Sequence, residues 1–314
     1  MARKIIIDCD PGIDDAIALT MALFDPGLDV VAVTATAGNV DAHQSSRNMQ
    51  AIIEQLDPPR RPRLGHAEDR QTTAKTNGMD MHGDDGLGNM QLPVSELHRH
   101  HGSDKVLIDC VHNSPGDITI VALGPLTNIA SALKRDPSFA SQVDRIVMTG
   151  GAINGIGNVT AAAEFNMYCD PEAARTVFRS PVTKTLIPLD VTRKIVMDYG
   201  FMDQLPDEFT RAGQLLHHIV PFLFRSYRQY VGFEGIHVHD VVPIVSVTQP
   251  SFFQMEEMAG DVETSGELTQ GATVFDRRRR PEWRANMEVA KSLDVDSVKE
   301  TIIQTLRFAG HETK

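Results

Sequence analysis

The chain has 314 residues, 41% of them hydrophobic and 23% charged, and a formal net charge of −12. That length and balance suit a folded domain with a substantial core and argue against a disordered chain. The acidity argues against nucleic-acid backbone or an anionic membrane surface as a partner, and leaves neutral small molecules and cations.

The first element is a buried strand. Ile5-Ile6-Ile7 is an apolar β-branched run of the kind covered on both faces of a sheet. Pro11-Gly12 breaks it, and Ala16, Ile17, Leu19, Ala22 and Leu23 then recur at helical spacing. Asp8, Asp10, Asp14 and Asp15 thus gather at the carboxyl end of a first strand, where open α/β sheets place their ligands. Clustered carboxylates repel one another unless a positive charge sits among them, and a hard divalent cation with oxygen ligands answers that need. A helix start uses one aspartate as a cap, so capping accounts for Asp14 or Asp15 but not for all four.

Residues 28–37 read as a second strand ending at Gly38-Asn39. A helix follows over 43–56, with Met49, Ile52, Ile53 and Leu56 on one face. Pro58, Pro59 and Pro62 close it, and Arg63–Gly65 is a short strand. Residues 69–93 lack periodicity, and a loop of that length is usually functional, so His82 reads as a loop residue covering the site. A helix over 103–113 and a buried strand over 118–123 come next. Gly124-Pro125 then leads to a helix from Thr127 or Asn128 to Arg135. A strand over 143–148 ends in Gly150-Gly151 and a Gly/Asn-rich loop reaching Asn158. Asp170-Pro171-Glu172 starts a helix with Asp as cap and Pro in its first turn. Residues 182–189 form a strand ending at Asp190. Residues 198–235 are mostly helical and carry His217, His218, Tyr227, Arg228 and Tyr230.

The tail over 259–292 holds β-rich pieces. Its basic run, Arg277 to Arg280, reads as a solvated turn or subunit contact. A final helix covers 295–308. Strands and helices alternate, so one α/β domain over 1–314 is expected, with a mainly parallel central sheet flanked by helices and the active site at the carboxyl ends of the strands. Cys9, Cys110 and Cys169 are too few and too far apart for a disulfide framework or structural zinc site. The start, Met1-Ala2-Arg3-Lys4, has no signal-peptide core and no apolar run spans a bilayer, so a cytoplasmic protein is expected.

Two later strand ends also gather polar groups. Glu164 and Asn166 lie two apart and would share a face of an extended segment, with Asn158 shortly before. A carboxylate and an amide together suit a polyhydroxylated ligand. His239-Asp240 offers a proton donor near neutral pH and a further carboxylate for a cation. Asp10-Pro-Gly-Ile-Asp-Asp would repel a phosphate, so a dinucleotide fold is disfavoured, and no GxSxG elbow exists.

Four ordered blocks resemble the inosine-uridine-preferring nucleoside hydrolases. They are Asp8-Cys-Asp-Pro-Gly-Ile-Asp-Asp15, Leu123-Gly-Pro-Leu-Thr-Asn128, Ala163-Glu-Phe-Asn166 with Asp170-Pro-Glu-Ala-Ala174, and Val238-His-Asp240. The resemblance implies hydrolysis of the N-glycosidic bond of ribonucleosides with a tightly bound Ca²⁺. It implies metal ligation by Asp10, Asp15, Asp240 and the Leu123 carbonyl, with Asp10 as the base that activates a metal-bound water. Asp14, Asn39 and Asn166 would grip the ribose 2′- and 3′-hydroxyls, and Asn158 and Glu164 the 5′-hydroxyl. Phe165, within the third block, belongs to the implied substrate pocket. His239 would lie near the base and protonate it on departure. Thr149, where the family block leads one to expect methionine, would line the ribose pocket. Tyr227 and Arg228 would face the nucleobase, and His82 would cover the site. The resemblance also implies a homodimer or homotetramer in nucleoside salvage.

The chemistry is consistent with this. Carboxylates stabilise the oxocarbenium character that develops on the ribose, and no covalent nucleophile is required. Two alternatives stand beside it. One is a metal-dependent phosphohydrolase with an aspartate nucleophile, with Thr149 and Lys184 as its later strand-end residues. The other is a ribose- or nucleoside-binding protein without turnover. The loops over 69–93 and 220–237 read as lids.

Overall fold

The computed structural model describes residues 2–69, 79–96 and 100–313. Residues 70–78 of the irregular stretch expected over 69–93 lie outside the described residues.

The chain runs β1 (Arg3–Cys9), α1 (Ile13–Phe24), β2 (Leu28–Ala35), α2 (Ala42–Leu56), β3 (Arg63–Gly65), α3 (Met79–His82) and α4 (Ser103–Asn113). It continues through β4 (Thr119–Ala122), α5 (Thr127–Arg135), α6 (Phe139–Gln142), β5 (Arg145–Thr149), α7 (Phe165–Cys169), α8 (Pro171–Arg179), β6 (Lys184–Ile187) and α9 (Leu189–Thr192). Then come β7 (Val196–Met197), α10 (Arg211–Ser226), β8 (Ile236–His237), α11 (Val241–Thr248), β9 (Phe253–Met258), β10 (Gly260–Val262), β11 (Thr273–Phe275), β12 (Met287–Leu293) and α12 (Val295–Glu312).

The central sheet has the order β3-β2-β1-β4-β5-β6-β12-β9. Every neighbouring pair is parallel except β12 with β9. The mainly parallel sheet expected from the alternation is therefore present. Strand pleating explains the isoleucine run: Ile5 and Ile7 enter the core beneath α1, α2, α10, α11 and α12, whereas Ile6 enters the core beneath α4, α5 and α8. β1 is the topological switch point. The chain leaves it toward β2 and β3, then returns to its other side as β4. A crevice opens above the carboxyl ends at such a point.

Element edges lie within four residues of those expected from the sequence. β2 stops at Ala35, although the Thr36 amide still donates to the Cys9 carbonyl at 2.8 Å. Gly38 and Asn39 then turn inward toward Asp10. The final helix continues to Glu312. The proposed second lid is largely regular: α10 passes through Pro221 and gives way to a π-helical turn over Tyr227–Val231, closed by Gly232 in the left-handed region. Among the described residues, no helix is long and apolar enough to cross a membrane. The three cysteines are all buried.

Candidate active site

A cleft at the carboxyl ends of the central strands is lined by Asp10, Asp14, Asn39, His82, Leu123, Thr149, Asn158, Glu164, Phe165, Asn166, Tyr227, His239 and Asp240. Of the residues that the family resemblance assigns to the site, only Asp15 and Arg228 are missing from its wall. Asp15 lies beneath the wall, fully buried. Arg228 is exposed. The reading of Arg228 as a base-facing residue is therefore corrected: Tyr227 opens the π-helical turn facing inward, and the next residue rotates out to solvent.

The floor is built by local rules. Asp15 stands at the third position of α1, and its Oδ2 accepts the Gly12 amide at 2.9 Å, half of a capping box. Asn39 joins this turn to the next: its amide N–H donates to Asp10 Oδ2 at 2.8 Å, and its Nδ2 donates to the Asp10 carbonyl at 3.1 Å and Asp15 Oδ2 at 3.3 Å. Asp14, Asp15 and Asp240 each bring an oxygen within 4.8 Å of the others, and Asp14 lies within hydrogen-bonding reach of Asp240. Burial, reinforced by the neighbouring carboxylates, lifts Asp10 and Asp240 well above the usual carboxylate range and pushes Asp15 up to about 8. Asp15 Oδ1 is buried and has no hydrogen-bond partner among the described residues. A buried carboxylate oxygen left unpaired among other carboxylates fits a cation ligand.

The fourth aspartate of the first block serves another purpose. Asp8 points to the opposite side of β1, where Oδ1 accepts from Thr34 Oγ1 at 2.6 Å and Asn128 Nδ2 at 2.8 Å. Burial pushes its carboxyl up to about 7. Asn128 Nδ2 also donates to the Ala35 carbonyl at 2.8 Å, so one amide ties the ends of β1 and β2 to the start of α5. Asn128→Ala takes one donor from each of these buried acceptors and leaves Asp8 Oδ1 with Thr34 and the Ala35 carbonyl with Ser103. Chemical denaturation is expected to show a loss of about 1–2 kcal/mol; wild-type stability would contradict this function of the amide.

Glu164 and Asn166 do reach the same cleft, but not along an extended segment. Glu164 caps α7: Oε1 accepts the Asn166 amide at 2.9 Å, and Oε2 accepts Met167 at 3.2 Å and Gly151 at 2.9 Å. Burial raises its pKa against those bonds. Five residues of helix are too short to announce themselves by periodicity. The cap aims Asn166 Nδ2 at the Leu123 carbonyl, 2.7 Å away. Asn158 Oδ1 accepts the Phe165 amide at 2.9 Å, and Thr149 ends β5 in the cleft wall. Asp190 receives the amides of Ile153 and Asn154, and Arg193 holds the carbonyls of Ile156 and Gly157. Arg277 donates to the Ile153 carbonyl and Asn154 Oδ1. It braces this loop while staying exposed with the rest of the basic run, as a solvated turn requires.

His239 is held by Thr192, whose Oγ1 lies 2.8 Å from Nδ1. Burial pushes the imidazole down to about 4. Its ring stacks on His237, with centroids 5.5 Å apart, and His237 stacks on Phe233 at 5.3 Å. His237 also lines the cleft. The alternation in Ile236-His237-Val238-His239 was a signal for it, since residues two apart share a face of an extended segment. Thr192 had no local signal; only folding brings it to His239. Lys184 begins β6 at the far end of the sheet and spends its ammonium on the Ser180 and Val182 carbonyls. The lysine that a phosphohydrolase would use is thus away from the cleft.

Residues 5–300 match the family model described as inosine-uridine preferring nucleoside hydrolase. The chain belongs to the inosine-uridine-preferring nucleoside hydrolase family. It is an N-ribosyl hydrolase of a metal-dependent family, and its acidic cluster could hold a metal. The non-specific ribonucleoside hydrolase RihC of Salmonella enteritidis PT4 is 36% identical over 312 residues, covering 97% of this nucleoside hydrolase and 98% of that relative. Two solved structures share the fold with a TM-score of 0.90, each covering 98% of this chain and 99% of the other. They are a plant nucleoside hydrolase, PpNRh1, at 31% identity, and a purine-preferring ribonucleoside hydrolase from Gardnerella vaginalis at 30%.

Proposed function

We propose that this nucleoside hydrolase cleaves purine and pyrimidine ribonucleosides with Ca²⁺ as its resident metal and Asp10 as the base. The observation that carries the metal assignment is the unpaired, buried Oδ1 of Asp15 amid carboxylates raised by burial. Asp10, Asp15, Asp240 and the Leu123 carbonyl would hold the ion. All four donors are oxygens, as a hard cation requires. Asp15 has no face on the cleft, which leaves it to an ion rather than to the sugar. The Leu123 carbonyl keeps a second lone pair beside its bond from Asn166. A bound Ca²⁺ would supply the positive charge that orients the sugar diol and makes the attacking water more acidic.

The remaining steps belong to side chains of this chain. Asp10 takes a proton from the water as its oxygen attacks ribose C1′. The C1′–N bond breaks, and its electron pair leaves with the nucleobase. Asp14, Asn39 and Asn166 grip the 2′- and 3′-hydroxyls, and Asn158 and Glu164 the 5′-hydroxyl. Thr149 lies against the sugar. With the Thr192 hydroxyl donating to Nδ1, neutral His239 carries its proton on Nε2 and donates it as a hydrogen bond to the departing base, which then takes its proton from solvent. Tyr227, Phe165 and His82 close the cleft around it. The relative named non-specific and the one named purine-preferring support a cleft that accepts more than one base.

This reading makes the diol essential. The kcat/KM for uridine and inosine is expected to exceed that for their 2′-deoxy counterparts by at least about 10³-fold, because buried groups aimed at a hydroxyl are left unpaired without it. Equal turnover of ribo- and deoxyribonucleosides would overturn the assignment of Asp14, Asn39 and Asn166.

A further inference from the structure

The segment after α3 is wound around one carboxylate. Asp85 Oδ1 accepts the amides of Leu87 at 2.7 Å and Asn89 at 2.8 Å, and Oδ2 accepts that of Gln91 at 2.9 Å. Gly83, Gly86, Gly88, Asn89 and Gln91 all take positive φ to make this possible. Two of those five are not glycine, and such backbone persists only where bonds around it over-determine it. The Asp85 carbonyl is pinned in turn. Asn48 Nδ2 donates to it at 2.7 Å and to the Pro11 carbonyl at 2.9 Å, which fastens the segment to the turn between β1 and α1.

This winding ends on His82. The Gly88 amide donates to the His82 carbonyl at 2.7 Å. His82 Nδ1 accepts the Ile13 amide at 3.0 Å, which leaves the proton of the neutral ring on Nε2. The ring lines the cleft. α3 is a single turn of four residues and cannot hold a side chain in place by itself.

We propose that Asp85 is a positioning residue that sets His82 in the cleft wall. It touches neither substrate nor metal ligands; it fixes the shape of 83–91, and through Gly88 and Asn48 that shape fixes His82 against the start of α1. The effect on turnover rests on the proposed function, whereas the effect on His82 itself does not.

The test compares Asp85→Ala, Asp85→Asn, His82→Ala and the Asp85→Ala/His82→Ala double variant of the metal-loaded enzyme. The readouts are kcat/KM on uridine and inosine, and hydrogen exchange at the Ile13 amide. Asp85→Ala is expected to lower kcat/KM by about 10- to 100-fold and to speed exchange at Ile13, whose acceptor has moved. Asp85→Asn keeps the oxygen for Leu87 and Asn89 and loses the one for Gln91, so it should fall between wild type and alanine. It carries the test if the alanine variant does not fold. With His82 already removed, Asp85→Ala should change kcat/KM by less than about twofold. An equal loss in both backgrounds, or unchanged exchange at Ile13 in the Asp85 variants, would overturn the proposal. Should wild type turn over no ribonucleoside, the proposed function fails, and exchange at Ile13 still decides what Asp85 does.

Discussion

Asp10→Asn is expected to lower kcat for ribonucleoside hydrolysis by about 10³-fold, with a much smaller change in nucleoside affinity. The substitution preserves shape. An asparagine Oδ1 can still accept the Asn39 amide that now bonds Asp10 Oδ2 at 2.8 Å. What it removes is the capacity to take a proton, and one carboxylate charge facing the sugar as positive character develops there. A group used only in the transition state costs kcat rather than binding. Steady-state kinetics together with calorimetric nucleoside binding on calcium-loaded protein would separate the two. An unchanged kcat would remove Asp10 from its role as base. Loss of binding and turnover together would assign it to the metal alone.

Gly38→Ala is expected to cost at least about 100-fold in kcat/KM, although Gly38 bears no chemistry. A Cβ built there would stand 2.0 Å from Asp10 Oδ2 and 2.7 Å from its Cγ. The neighbour cannot swing away cheaply. A Cβ at Gly124 would meet Asp10 Oδ1 at 2.4 Å from another side, so the carboxylate sits in a slot between two glycines. The added methyl must either turn Asp10 off its bond to Asn39 or push the β2–α2 turn, Asn39 included, out of the cleft. Both spoil the alignment of base and sugar. The sheet lies elsewhere, so thermal unfolding should shift by only a few degrees. Wild-type kinetics in Gly38→Ala would show that Asp10 need not be held where it is.

Much of this site was legible because it is local. The isoleucine run, the proline-glycine break and the aspartates belong to one short stretch, and the rule that ligands bind at strand ends supplies the rest. Asp170 caps α8 as its sequence indicates, accepting the Ala173 amide at 3.0 Å. Glu164 and Asn166 meet in the cleft through a helix cap, not through the pleating that their spacing suggests. Arg228 is exposed beside buried Tyr227 because one residue along a helical turn exchanges inside for outside. Thr192, Arg193 and Arg277 act across tertiary contacts, from 36 residues away for Arg193 and Gly157 to 124 for Arg277 and Ile153. Their neighbours in sequence look like any polar turn. Spacing alone groups Asp8 with the site, yet the sheet directs it into a structural network behind β1.

The most direct test of calcium-dependent nucleoside hydrolysis is the release of free base and ribose from inosine and uridine before and after the bound divalent ion is stripped by a chelator. Metal content is verified in the stripped protein, and Ca²⁺ is then added back. The expected result is near-complete loss of release on stripping and recovery with Ca²⁺. Undiminished release by protein shown to be free of metal would contradict the account.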